Sequence, residues 1–169
     1  MITLRCTKKL RDFLGVELTD PLQPTSSTLG DWYANLVQTF SGDLILIVNE
    51  KTLLAVAIPV QDAVRLEDWF RMRVCNLLSM IDIDPGVAGE ELRHYEEVQY
   101  AKTASRSVLA SMNDFTYSIQ YRADPELGEV NHSLSALELA LSETPCGPLK
   151  YAYPRERAKE LLEGGRNDV

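Results

Sequence analysis

The stretch Asp43-Leu44-Ile45-Leu46-Ile47-Val48-Asn49-Glu50-Lys51-Thr52-Leu53-Leu54-Ala55-Val56-Ala57-Ile58 decides how this chain is read. It holds two apolar, β-rich runs, 43–48 and 53–58, joined by four polar residues. That pattern is a β-hairpin with a short polar connection. Both runs are apolar nearly throughout, as expected of strands covered on both faces. A sheet is therefore expected, and the rest of the chain must supply the layers that cover it.

Upstream, Ile2–Arg5 alternates apolar and polar residues as a short strand does. Thr7 then offers an N-cap for a helix through Leu10, Phe13 and Leu14, closed by Gly15. Residues 19–29, with Pro21, Pro24 and a Ser/Thr run, read as a loop. From Gly30-Asp31, Trp32, Leu36 and Phe40 fall on one side of an expected helix.

Downstream, a long helix is expected from Gln61 to about Ile81. Its buried stripe is Leu66, Phe70, Val74, Leu77 and Ile81. Arg73 projects beside that stripe, so it is expected to need an internal partner, whereas Cys75 falls on the opposite side. Asp84-Pro85-Gly86 precedes an acidic helix with Leu92, Tyr95 and Val98 facing inward, and Tyr100–Thr103 reads as a strand. Another helix runs from Ser105 to Ala123, burying Val108, Leu109, Met112, Phe115 and Ile119. Asn131/Ser133 and the Ser135–Glu138 spacing of a capping box introduce the next helix. A last helix opens at Pro154 and closes at Gly164-Gly165.

The expected fold is thus α+β: a helix-rich single domain over residues 1–165, around a sheet of three or four strands, with a frayed tail at 166–169. At 169 residues, 45% of them hydrophobic, the chain can bury a core without staples. Its three cysteines, Cys6, Cys75 and Cys146, are far apart and lack zinc spacing, so reduced thiols are expected. The start lacks a signal-peptide pattern, and no apolar run approaches the ~20 residues that span a bilayer. A cytoplasmic protein with no membrane contact is expected. A net charge of −8 works against non-specific nucleic-acid binding.

Polar side chains concentrate in Lys102-Thr103-Ala104-Ser105-Arg106-Ser107-Val108-Leu109-Ala110-Ser111-Met112-Asn113. Lys102 and Arg106 stand at a helix start whose free N–H groups attract anions, with Ser105 as cap. Asn113 and Tyr117 lie on a flank of the same helix. Asp31, Tyr33 and Asn35 form a second candidate group, and Asn49 and Glu50 at the hairpin tip a third. His94 and His132 have no ligand-spaced partner. An Asp31, Glu50 and Asp114 magnesium site has no support in the sequence. No metal and no cofactor are expected.

The phrases Met1–Leu10, Leu29–Leu36, Leu46–Leu54 and Ala101–Phe115 together resemble a family of small bacterial proteins classed as a domain of unknown function. The resemblance covers residues 1 to about 122. It implies a cytosolic bacterial protein and carries over no catalytic assignment.

Three functions remain open on these residues. The first is a binding module that recognises an anionic small molecule or nucleotide through Lys102 and Arg106. The second is a metal-independent phosphodiester-cleaving enzyme, similar to a small ribonuclease, with Glu50 or Asp31 moving the proton. The third is a structural partner of another protein.

Overall fold

The computed structural model describes residues 1–127 and 133–164. Asn131, His132, Gly165 and the tail at 166–169, all singled out above, lie outside the described residues.

The sheet has five strands: β1 (Ile2–Cys6), β2 (Trp32–Val37), β3 (Leu44–Asn49), β4 (Ala55–Pro59) and β5 (Val98–Lys102). Their order is β4-β3-β2-β1-β5. β1 pairs in parallel with both β2 and β5. β3 is antiparallel to both β2 and β4, forming the expected hairpin. Among the described residues, six α-helices complete the α+β architecture: α1 (Lys8–Leu14), α2 (Leu66–Met80), α3 (Pro85–Leu92), α4 (Arg106–Ala123), α5 (Leu134–Ser142) and α6 (Pro154–Glu163). Among the described residues, no helix is long and apolar enough to cross a membrane.

The sheet exceeds the expected three or four strands because residues 32–37 form β2 rather than a helix. The misreading has a physical origin. β2 is covered on both faces, with Trp32 and Ala34 in one core cluster and Tyr33 and Val37 in the other. Such a strand loses its polar alternation, and a helical spacing of large residues then fits by coincidence. Phe40, the third residue of that supposed stripe, lies beyond the strand and is 78% exposed.

Helix limits also move. Val60–Arg65 forms a 3-10 segment, so α2 begins at Leu66 rather than Gln61. The acidic helix stops at Leu92, a 3-10 turn follows at Arg93–Glu96, and Val98 opens β5. Thr7 caps α1, and Gly15 ends it with φ 64°, as expected. Ser133 caps α5 by accepting the Ala136 N–H at 3.3 Å. Glu138 is not part of a capping box; it is fully buried elsewhere.

Two apolar layers enclose the sheet. On one face Ile2, Leu4, Trp32, Ile47 and Ile58 pack with Phe70, Val74 and Leu77 of α2. The Trp32 ring meets Phe70 edge-on at 5.3 Å, and its Nε1–H donates to the Tyr95 hydroxyl at 2.8 Å. On the other face Tyr33, Leu46 and Val48 pack with Val108, Met112, Phe115 and Ile119 of α4.

α2 and α5 meet beside the edge strand β4, and there Arg73 finds its internal partner. Its Nε donates to Glu138 Oε1 at 2.8 Å, and its Nη2 lies 2.7 Å from Oε2. The second approach is a charge contact without hydrogen-bond geometry, which leaves Oε2 unbonded. Oε1 also accepts the N–H of Ala57 in β4 at 3.1 Å. An open strand edge invites pairing with another chain, and this carboxylate closes one of its donors.

The cysteines divide by exposure. Cys6 and Cys146 are buried, whereas Cys75 is exposed. Burial pushes the Cys6 thiol up to about 12, with Arg11 pulling it partly back. Burial also raises Cys146, to about 11, with help from Asp114. A thiol-reactive probe such as Ellman's reagent is therefore expected to titrate Cys75 alone in the native protein, and Cys6 and Cys146 as well after denaturation. Rapid native reaction at Cys6 would contradict the packing described.

Candidate functional site

The parallel register places Arg5 of β1 beside Tyr33 of β2 and Ala101 of β5. Side chains alternate across a sheet, so these three share the face that α4 covers. Beyond the reach of α4 that face turns polar. Gln99 Nε2 donates to Thr3 Oγ1 at 2.9 Å, and Thr3 Oγ1 lies 2.8 Å from Thr25 Oγ1. The loop at 19–29 thus covers β1 and β5 with hydrogen bonds where a helix would have used apolar contacts.

Asp31 anchors this network. One of its carboxylate oxygens accepts Arg5 Nε at 2.7 Å, and the other accepts the Thr25 hydroxyl. Arg5 Nη1 donates onward to the Lys102 carbonyl at 3.1 Å, which ties β1 to the end of β5. Glu50 Oε1 accepts the Asp31 N–H at 3.1 Å. Gly30 permits that approach: its φ is +79°, and a Cβ there would stand 2.9 Å from Glu50 Oε1.

The Tyr33 hydroxyl points toward the start of α4. Burial raises it above the ordinary phenol range. Arg5 lowers it, Glu50 raises it, and the backbones of Ala104 and Ser105 lower it by hydrogen bonding. Ser105 caps α4 by accepting the Val108 N–H at 3.2 Å. The first turn of α4 contains no acidic residue. Lys102 and Arg106 are exposed, and neither makes an ion pair among the described residues.

Asp31, Tyr33, Glu50 and Ser105, singled out from the sequence, are joined here. Arg106 follows Ser105 in the first turn of α4. Lys102 enters through its carbonyl, since its pairing with Cys6 puts its side chain on the opposite face of the sheet. The other four are placed differently. Asn49 is fully buried and closes the hairpin. Its Nδ2 donates to the carbonyls of Leu29 and Asp31, and its Oδ1 accepts the N–H groups of Lys51 and Thr52. Asn35 Oδ1 accepts the Thr7 hydroxyl at 2.7 Å, holding β2 against the start of α1. Asn113 and Tyr117 are exposed on α4. At 1.5 Å per residue they stand about 10 and 16 Å along the axis from Arg106.

Sequence reasoning missed Arg5, Thr25 and Glu91. Arg5 carried a usable signal, being a cation on a short strand with apolar neighbours. Glu91 carried none, since it sits in an acidic run yet is 3% exposed. It accepts the Ser27 hydroxyl, the N–H groups of Thr28 and Leu29 at 3.0 and 3.3 Å, and the Tyr95 hydroxyl at 3.3 Å. That grip fixes the loop leading to Asp31.

Chemically, among the described residues, the cluster offers the unpaired Arg106 cation, a hydroxyl and a helix start. Both carboxylates in it are engaged, so neither stands as a free base. No group of three His, Cys, Asp or Glu side chains suited to a metal ion occurs among the described residues.

No curated protein and no solved structure matches the chain. A family match does exist, and it continues past residue 122, where the resemblance read from the sequence stopped. It takes in α5 and the first turn of α6. The chain belongs to the family described as Domain of unknown function (DUF6933), which matches residues 3–157.

Proposed function

We propose that this protein is a binding module for a small anionic ligand, of the nucleotide or phosphate kind, acting in the bacterial cytoplasm. One observation carries the reading. Arg106 stands in the first turn of α4 and Lys102 ends β5 four residues earlier, both exposed and without a carboxylate partner among the described residues, whereas the adjacent Arg5 is neutralised by Asp31. Cations beside the positive end of an 18-residue helix favour an anion. The local charge acts against the overall balance of −8, which disfavours long polyanions and leaves small ones admissible.

Phosphodiester cleavage is the weaker reading. It would require Asp31 to leave Arg5 and Thr25, or Glu50 to leave the Asp31 N–H. Binding asks for neither change.

Calorimetric titration with pyrophosphate and with ADP tests the proposal. Saturable binding is expected, weakening about tenfold in Lys102→Ala and in Arg106→Ala, a loss of about 1.4 kcal/mol each. Melting temperatures should stay near that of the unaltered protein, because both side chains are exposed. Affinity should fall as salt rises. Absence of binding, or affinity indifferent to both substitutions, would overturn the reading.

A further inference from the structure

At the far end of α4, about 25 Å from Arg106 by helix rise, a cleft of about 460 Å³ opens between α4 and α5. Its size falls within the range of small-molecule sites, roughly 300–1,000 Å³. Ile119 from α4, Leu137 from α5 and Leu44 from β3 give it an apolar lining. Arg122 and Asp43 also line it. They carry opposite charges, yet neither pairs with the other or with another side chain among the described residues.

We propose that this cleft binds a small monocarboxylate with an apolar body, such as a medium-chain aliphatic acid. The chain lies along Ile119, Leu137 and Leu44, and the carboxylate meets the Arg122 guanidinium. Asp43 limits the charge: a ligand with one negative group can face Arg122 alone, whereas a polyphosphate would bring a second negative group toward Asp43. The preference is therefore opposite to that proposed for the start of α4. The two sites stand or fall separately.

Methyl-resolved NMR with octanoate as the probe tests this. Saturable shifts are expected at the Ile119, Leu137 and Leu44 methyls. Octanol should bind at least tenfold more weakly, and pyrophosphate should leave these methyls unmoved. Arg122→Gln should weaken octanoate about tenfold without changing the response to octanol. Ala140→Met, which adds bulk to the lining while sparing both charges, should reduce binding of both probes. Absence of saturable shifts at these methyls would overturn the proposal. So would equal affinity for octanoate and octanol, or octanoate binding unaltered in Arg122→Gln.

Discussion

Arg73→Ala is expected to lower stability by roughly 3–5 kcal/mol, because it leaves the Glu138 carboxylate buried without its cation. Glu138 is wholly inaccessible, and Arg73 is its ion-pair partner. At about 2–4 °C per kcal/mol for a chain of this length, the melting temperature should fall by roughly 10 °C. Burial already holds the Glu138 carboxyl above its ordinary range, against the opposing pull of Arg73 and of the Ala57 N–H. A carboxyl raised in the fold contributes stability that is present below its unfolded value and lost as pH rises through the folded value. Without Arg73 the carboxyl rises further, so the deficit should be largest at neutral pH and shrink on acidification. Thermal unfolding across pH checks this, and a deficit independent of pH would contradict it.

The double substitution Arg73→Met with Glu138→Leu separates charge from packing. Replacing both members of a buried pair with apolar side chains is often neutral or better. Here, however, Glu138 also accepts the Ala57 N–H of the edge strand. A buried donor left without an acceptor costs about 1–3 kcal/mol. The double variant should therefore recover much of the loss caused by Arg73→Ala but remain below the unaltered protein.

Glu91→Ala should have the next largest effect, about 3 kcal/mol or more. It strips acceptors from two backbone N–H groups and two hydroxyls in a buried setting. Glu91→Gln retains an oxygen but turns an amide donor toward some of those donors, so it should fall between. The effect should also reach the site. Residues 27–29 lead directly to Asp31, which holds Arg5. Hydrogen exchange at the Thr28 and Leu29 amides should accelerate in Glu91→Ala. Protection unchanged at those amides would show that the carboxylate does not pin the loop.

Local rules made the hairpin, the caps at Thr7 and Ser105, and the α2 stripe readable from the chain, because each is a short-range pattern. The internal partner demanded by Arg73 was also foreseeable, since an arginine beside an apolar stripe cannot remain unpaired. Its identity was not. Glu138 sits in a sequence that imitates a capping box, and only the meeting of α2 and α5 reveals its use. β2 escaped because burial on both faces erased its alternation. The site was legible in part. Lys102, Ser105 and Arg106 announced themselves as a polar start to an apolar helix. Arg5 reaches Asp31, and Glu91 reaches the loop at 27–29, across 26 and 62 or more residues, which no local window sees.

The anion proposal is tested most directly by following backbone amides in a ¹H–¹⁵N spectrum while pyrophosphate is added. Saturable shifts centred on Ser105, Arg106, Ser107 and Val108 are expected, together with their disappearance in the Lys102→Ala/Arg106→Ala protein. Shifts absent from these amides, or equally large in the doubly substituted protein, would contradict a ligand seated at the start of α4.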